Sequence, residues 1–234
     1  MKKDETQELL PALYIVPTPI GNLDDITLRA LKILAAADII ACEDTRNTGK
    51  LLNHYSIFSK KLESYYEFNE LKKSQILIKE ILNGKIVALT SDAGYPGISD
   101  PAYRIINEAI SNNINVVPLP GAAAFLPALV GSGFPTDCFK FVGFPPQKKG
   151  RKTFIKKAAQ EECTVIFYES PHRILKLIEE LIEICGNDRR VCIAREISKI
   201  YEEFIRGNLK SVKNELVSNN KVKGEFVVIL RGNG

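Results

Sequence analysis

Short apolar runs recur along the first half of the chain and alternate with segments of helical periodicity. The runs cover residues 13–16, 39–42, 86–89 and 116–119, and almost every position in them is apolar. Between them, the spacing of apolar side chains predicts helices over 27–36, 50–54, 71–82 and 102–112. Strands that are apolar throughout are typical of parallel sheets covered by helices on both faces. The first half is therefore predicted to be an α/β domain.

The second half contains more consecutive strands. A run at 139–146 is predicted to be a strand that ends in a loop, and further strands are predicted at 164–168, 191–194, 200–205 and 226–230. Helices are predicted at 172–185 and 209–217, and small residues at 120–124 are expected to begin another. Because several strands follow one another without a helix, the second sheet is predicted to be mixed. We expect a tail over 1–12 and two α/β domains over 13–119 and 120–234.

The loop after the strand at 86–89 is the most informative segment. Residues 90–101 contain two glycines, two prolines and two aspartates. Ligands of open α/β sheets bind outside the carboxyl ends of strands, and glycine lets the backbone approach them closely. Asp100 and Pro101 are expected to cap and open the next helix. The segment predicts a small-molecule site without naming the molecule.

Four other apolar runs end in loops rich in polar and charged residues. These loops are Pro17–Gly21, Glu43–Arg46, Glu169–Arg173 and Arg195–Glu196. If every run is a strand, the loops gather at the carboxyl edges of the sheets and can line one cleft. For each loop a structural role is the alternative: acidic residues also cap helices, and arginines also form structural ion pairs.

Charge and motifs narrow the function classes. The net charge is only +4, but residues 148–157 hold a basic cluster without an acid, which suits either a phosphate contact or a solvated helix start. No P-loop or H-E-x-x-H motif is present, and with two histidines a metal site is not expected. Five cysteines without a C-x-x-C pair, and no run long enough for a bilayer, predict a cytoplasmic protein in which Cys42 and Cys192 are buried.

Five ordered motifs carry a resemblance. They read L-Y-I-V-P-T-P-I-G-N-L from residue 13, E-D-T-R from 43, S-D-A-G-Y-P-G-I-S-D-P from 91, Y-E-S-P-H-R from 168 and A-R-E from 194. Together they resemble the small-subunit ribosomal RNA methyltransferases that act on the ribose 2′-oxygen of a cytidine, within the tetrapyrrole-methylase-like superfamily. The resemblance extends from about residue 13 to residue 230.

The resemblance implies S-adenosylmethionine as the cofactor, bound in a cleft between two α/β domains of the class III methyltransferase type. Such a fold lacks the glycine fingerprint of dinucleotide-binding domains, which this chain also lacks. Carried over motif by motif, the implied cofactor contacts are Ile20, Asp92, Gly94, Ile98, Ala123, Ala124, Tyr168, Ala194 and Glu225. Taken alone, each alanine is equally well explained by helix or strand packing.

The implied reaction is an in-line displacement in which the ribose 2′-oxygen attacks the methyl group of the sulfonium. Orientation contributes about 7–11 kcal/mol and a general base roughly 10²–10⁴-fold, so positioning is expected to dominate. The catalytic candidates are Glu43, Asp44, Arg195 and Lys199, with Glu43 and Lys199 favoured. A lysine base needs a depressed pKa. An ion-pair network is the alternative role for these residues.

The implied partners are small-subunit ribosomal RNA and a second copy of the chain in a homodimer. RNA contacts are expected at Arg46, Lys148, Lys149, Arg151 and Lys152. Two alternatives stay open. A precorrin-type tetrapyrrole methyltransferase has the same fold, but the E-D-T-R motif and the basic cluster count against it. A non-catalytic RNA-binding or assembly protein would take up no S-adenosylmethionine.

Overall fold

A computed structural model describes residues 9–219 and 221–234 of the chain. They form two compact units, and the division falls after Ala122. The sequence places the boundary after residue 119, three positions earlier. In the first unit the elements are β1 (Leu13–Ile15), α1 (Leu28–Ala36), β2 (Ile39–Cys42), α2 (Thr45–His54), β3 (Lys61–Ser64), α3 (Glu70–Leu82), β4 (Val87–Leu89), α4 (Tyr103–Ser111) and β5 (Val116–Pro118).

The first unit is built on a parallel sheet of order β3-β2-β4-β1-β5. Its central strands are buried on both faces: Leu13 and Ile15 belong to one hydrophobic cluster, and Tyr14 belongs to the cluster on the other side. This confirms the parallel sheet predicted from fully apolar runs. Because all five strands point the same way, the loops after β1, β2 and β4 leave from one edge.

The sequence does not predict strand β3, and two local predictions in this unit are wrong. The sequence K-L-E-S of β3 is polar and was missed, since an edge strand bonded only to β2 needs no continuous apolar run. Helix α2 begins at Thr45, well before residue 50, because the Asp44 side chain caps it. Helix α4 begins at Tyr103 with Ala102 as its N-cap, so Asp100 and Pro101 do not open it.

The second unit holds a mixed sheet of order β6-β7-β10-β8-β9, as predicted. Only the β6–β7 pair is parallel; the other three pairs are antiparallel. The elements are α5 (Phe125–Ser132), β6 (Phe139–Gly143), α6 (Arg151–Ala159), β7 (Thr164–Glu169), α7 (Ile174–Cys185), β8 (Arg190–Arg195), β9 (Glu203–Asn208), α8 (Leu209–Ser218) and β10 (Phe226–Leu230). Strand β9 begins at Glu203, and residues 200–201 form a turn instead of the predicted strand.

Helices cover both faces of the second sheet, and strands β7 and β8 end at the same edge of it. Helices α6, α7 and α8 share one hydrophobic cluster with Phe167, Ile193 and Val228, whereas α5 packs against strands β7 to β10. Strands β7 and β8 both run antiparallel to β10, so their carboxyl ends meet the start of β10 at one edge. The predicted burial of Cys42 and Cys192 is confirmed.

Two kinds of feature do not occur among the described residues. No helix among them is long and apolar enough to cross a membrane. Among the same residues, no group of three or more His, Cys, Asp or Glu side chains is arranged to hold a metal ion.

Candidate active site

The loops after β1 and β4 are bonded together at the carboxyl edge of the first sheet. Thr18 and Gly94 exchange two backbone hydrogen bonds, of 2.9 and 3.0 Å. Gly94 has a φ of +85°, which favours glycine, and the Ser91 hydroxyl donates a further bond of 3.1 Å to the Gly94 carbonyl. The backbone N–H of Gly94 is therefore already used within the protein. An added Cβ at Gly94 would lie only 3.3 Å from Ile20 Cγ2, so the glycine allows the close packing of these two loops.

Asp92 links the loop after β4 to helix α2. Its Oδ1 accepts a hydrogen bond from the Asp44 backbone N–H at 3.1 Å, and its Oδ2 accepts one from Asn47 Nδ2 at 2.9 Å. The residue is exposed. A carboxylate has about four acceptor positions, so two remain for a ligand. Sequence reasoning found Asp92 but missed Asn47, because nothing in the spacing marks a helical amide as its partner.

A cavity of about 200 Å³ opens beside Asp92. Side chains from the loop after β1, from α2 and from the loop after β4 line it, among them Thr18, Asn47 and Ser91. A volume below about 300 Å³ holds part of a nucleoside-sized ligand. Ile98, another predicted contact, is half-buried further along this loop, where its N–H donates to the Tyr95 carbonyl at 3.1 Å.

Asp44 is an ionised cap and not a proton acceptor. It accepts the Arg46 backbone N–H at 2.8 Å and a two-point contact from the Arg46 guanidinium, with Nη2 to Oδ2 at 2.6 Å. These hydrogen bonds with Arg46 hold the pKa of Asp44 at about 2. A general base works best with a pKa near the operating pH. Arg46 itself is 84% exposed, as an RNA contact requires.

Two carboxyl groups near Asp92 have raised pKa values. Burial raises the pKa of Glu43, and the charge on Asp92 adds to the effect. Burial and the charge on Glu43 raise the pKa of Asp100 to about 6 from 3.8. A carboxyl that titrates near neutrality is suited to accept a proton. Sequence reasoning assigned Asp100 to a helix cap, and only the fold reveals its acidic neighbours.

Two of the predicted cofactor contacts in the second unit lie on one row across the sheet. Tyr168 of β7, Val227 of β10 and Ala194 of β8 occupy consecutive register positions. The Tyr168 hydroxyl accepts the backbone N–H of Phe125 at 3.2 Å, which brings the start of α5 to the end of β7. Ala123 and Ala124 immediately precede this helix. Ala123 and Ala194 are buried, so their methyl groups form walls of the protein interior.

Lys199 is held protonated by two carboxylates. Its Nζ lies 3.0 Å from Glu196 Oε1 and 3.2 Å from Glu225 Oε2. Burial opposes the lysine charge, but the hydrogen bond with Glu196 and the charge on Glu225 outweigh it and raise the pKa of Lys199. A base would need the opposite shift. The two ion pairs favour a fixed positive charge at Lys199 over the role of a base.

The other members of this edge are bonded to the backbone. Glu196 Oε1 accepts the Glu225 N–H at 2.8 Å, and Arg195 Nε donates to the Lys223 carbonyl at 2.7 Å. Arg195 also lies 3.8 Å from Glu203. Glu225 keeps an exposed carboxylate, 80% accessible, next to Lys199. The sequence leaves two roles open for Arg195, one in catalysis and one in a structural ion-pair network. Its contacts with Lys223 and Glu203 favour the structural role.

The basic cluster divides into two kinds of residue. Lys148, Lys149 and Lys152 are exposed around the start of α6, whose N-cap is Gly150. Arg151 instead is only 3% exposed and pairs with Glu180 at 2.8 Å and with Glu169 at 3.2 Å. The prediction that Arg151 contacts RNA is therefore wrong for this structure, because its guanidinium is turned into the protein and paired there.

The comparisons with known proteins identify the family. The profile of the Tetrapyrrole (Corrin/Porphyrin) Methylases matches residues 12–213. A protein of Halalkalibacterium halodurans named ribosomal RNA small subunit methyltransferase I is 48% identical over 223 residues, which cover 95% of this chain and 76% of that protein.

Solved structures show the same fold at low identity. A cobalt precorrin-4 methyltransferase of cobalamin biosynthesis matches with a TM-score of 0.69 and 18% identity, over 95% of both chains. A uroporphyrin-III C-methyltransferase from Thermus thermophilus, solved in complex with S-adenosylhomocysteine, matches with a TM-score of 0.61 and 17% identity, over 93% of this chain and 96% of that one. These matches confirm the predicted fold of two α/β domains. The chain belongs to the tetrapyrrole methylase family and, within it, to the relatives named ribosomal RNA small subunit methyltransferase I.

Proposed function

We propose that this methyltransferase transfers a methyl group from S-adenosylmethionine to the ribose 2′-oxygen of a cytidine in small-subunit ribosomal RNA. The names of the relatives support the RNA substrate. The observation that carries the chemistry is the set of carboxyl groups at the carboxyl edge of the first sheet, where Asp92 has open acceptor positions and Glu43 and Asp100 have raised pKa values.

The residues at this edge suit an adenosyl cofactor. The exposed Asp92 carboxylate is fixed by two hydrogen bonds and can accept others from hydroxyl groups. S-adenosylmethionine supplies a methyl group activated on a sulfonium. We propose contacts in the first unit at Ile20, Asp92, Gly94 and Ile98, and in the second at Ala123, Ala124, Tyr168, Ala194 and Glu225.

The proton of the 2′-hydroxyl needs an acceptor in this reaction. We propose Glu43, whose carboxylate is half-buried and whose pKa is raised by burial. Asp100 titrates beside it with a pKa of about 6, so the pair carries its second negative charge only near neutral pH. Asp44 orients this region through Asp92 and Arg46, and Lys199 contributes a fixed positive charge.

The start of α6 is proposed to contact RNA phosphates, and Arg46 is proposed as a further contact. Lys148, Lys149 and Lys152 lie where the helix macrodipole is already positive, an arrangement that costs about 0.3–1 kcal/mol per residue. The N-cap Gly150 has no side chain that could satisfy the free N–H groups there. An anionic partner offsets both costs.

Methyl transfer from labelled cofactor tests the whole proposal. The substrate is the small ribosomal subunit isolated from a strain lacking this protein, and the labelled nucleotide is mapped. We expect label on a cytidine ribose, and a loss of 10²–10⁴-fold for Glu43→Gln with cofactor affinity changed less than about threefold. Glu80→Gln, which alters an α3 carboxylate paired with Lys85, serves as the control. Absence of label on the RNA would overturn the proposal.

Salt dependence tests the RNA contact. Replacing Lys148, Lys149 and Lys152 by Ala should reduce the slope of log K against log salt by about two to three units. The matched control removes three exposed lysines elsewhere, namely Lys72, Lys79 and Lys210. Equal slopes for the two triple variants would place the RNA elsewhere on the protein.

We further propose a homodimer in the cytoplasm, where ribosomal RNA is found. Exposed apolar side chains support an interface on α5, since Leu126 is 46% and Val130 is 72% exposed. Sedimentation equilibrium should give twice the chain mass, and Val130→Asp should shift the protein toward the monomer. A wild-type monomer at micromolar concentration would rule out this proposal.

A further inference from the structure

Two cysteines stand side by side at the start of the parallel strand pair of the second unit. Cys138 immediately precedes β6 and Cys163 immediately precedes β7, and the register pairs Phe139 with Thr164. Neighbouring strands lie about 4.7–4.9 Å apart, and disulfides join residues whose Cα atoms are about 4.4–6.8 Å apart. The Cys138 side chain is also close enough to Cys163 to raise the pKa of its thiol. The two thiols are thus already within bridging reach.

The surroundings give the two thiols different chemical roles. Cys138 is exposed and Cys163 is half-buried, and both line a cavity of about 570 Å³ together with Lys140 and Glu161. Burial, the contact with Cys138 and the charge on Glu161 raise the pKa of Cys163. We expect the exposed Cys138 thiol to react first with a reagent in solution. The Cys163 thiol, whose pKa is raised, reacts second. Lys140 forms an ion pair with Glu161 at the rim of this cavity.

The remaining cysteines differ from this pair. Cys42 and Cys192 are buried, and burial raises the pKa of Cys192 to about 11. Burial also raises the pKa of Cys185. No hydrogen bond of these three to another cysteine is found among the described residues. They are internal controls for any reagent that selects thiols by exposure.

We propose that Cys138 and Cys163 form a thiol–disulfide exchange site that closes into an intrachain disulfide when a low-molecular-weight disulfide is present. The Cys138 thiolate attacks one sulfur of that disulfide, breaks its S–S bond and releases one small thiol. The Cys163 thiolate then attacks Cys138 Sγ and releases the second small thiol. Two protein thiols are oxidised, the small disulfide is reduced to two thiols, and the two protons end on the released thiols.

The bridge would restrain the segment that carries the exposed lysines. The two cysteines are 25 positions apart in the sequence, and the loop that the bridge closes contains all of β6 and all of α6. Strand β6 is an edge strand, bonded only to β7, and its register shifts between Phe141 and Gly143. Closing a loop of this length raises the melting temperature by roughly 5–10 °C, because the unfolded chain loses freedom.

The test treats the full-length protein with oxidised glutathione and counts thiols after denaturation. The chain has five cysteines, so we expect three free thiols, a peptide cross-link between Cys138 and Cys163, an unchanged chain mass on a non-reducing gel, and reversal by dithiothreitol. Cys163→Ser should stop at one glutathione on Cys138, and Cys138→Ser should form no cross-link. Cys185→Ser is the control and should behave as the wild type.

Three results would overturn the proposal. They are five free thiols after treatment, a stable glutathione adduct on wild-type Cys138, and a cross-link between chains. Each is read from the mass of the wild-type protein, so the conclusion does not depend on how well the serine variants fold.

Discussion

Truncation of Arg151 should destabilise the second unit strongly although the residue lies in a basic segment of the surface. The Arg151 guanidinium is 3% exposed and bonds to two carboxylates, Glu180 at 2.8 Å and Glu169 at 3.2 Å, as well as to the Pro146 carbonyl at 3.3 Å. Arg151→Ala removes all three contacts and leaves the Glu180 carboxylate without the guanidinium that pairs with it.

The expected magnitude follows from the burial of this pair. Breaking a buried ion pair from one side costs about 3–5 kcal/mol, because a desolvated charge is left uncompensated. Glu169 keeps its contact with Arg173 at 3.0 Å, which places the cost toward the lower end of that range. With a urea m value of about 2 kcal/mol per M, the unfolding midpoint should fall by roughly 1.5–2.5 M.

Urea unfolding followed by circular dichroism measures this change. Lys152→Ala is the matched control, since it removes a positive charge from the next position of the same helix but an exposed one. It should change the free energy of unfolding by at most about 1 kcal/mol, because the only loss is an unfavourable charge at the start of the helix. If the two variants shift the midpoint equally, the reasoning from burial is refuted. The Arg151→Met/Glu180→Leu double variant should recover most of the loss, because no charge stays unpaired.

Three further predictions concern the two functional edges. Asp100→Asn should raise the free energy of unfolding by about 1–3 kcal/mol at pH 7.5, because ionising a carboxyl whose pKa is raised to about 6 opposes folding. The gain should vanish below about pH 3, where Asp100 is protonated in the folded and the unfolded state, and an equal gain at both pH values would contradict the prediction. Gly224→Ala should lower the free energy of unfolding, measured by thermal unfolding, by about 1–3 kcal/mol more than Gly84→Ala. Both glycines have positive φ, but only at Gly224 would the new Cβ lie 2.6 Å from the Glu196 carboxyl, so equal costs would exclude that clash. Asp92→Asn should weaken S-adenosylmethionine binding about 10–100-fold by calorimetry, and unchanged affinity would remove Asp92 from the site.

The sequence predicted strands better where burial is uniform than where it is not. Strand β10 was predicted with its observed bounds, Phe226–Leu230, because every residue in it is buried. The pattern does not predict the polar edge strand β3. It also predicts the start of α2 too late, because apolar spacing does not show that Asp44 caps the helix. Hydrophobic periodicity reports burial, so an element that is half solvated leaves a weak pattern.

The sequence by itself determined which loops follow the strands and which family the chain belongs to. The five motifs lie at the carboxyl ends of apolar runs, and their order along the chain indicated the family before any contact was known. Such motifs are local, and strand direction alone fixes the sheet edge to which they belong. The loops holding Glu43 and Asp92 could therefore be placed at a site from the printed residues.

Only the tertiary structure decided what each charged residue does. Lys199 and Arg151 look like any other basic side chains in the sequence, yet Lys199 is kept protonated by Glu196 and Glu225, and Arg151 is buried against Glu169 and Glu180. Asp100 looks like a helix cap in the sequence, but the fold places it near the carboxylate of Glu43, which is far away along the chain. The protonation state and accessibility of a side chain depend on desolvation and on neighbouring charges, and both are properties of the folded chain.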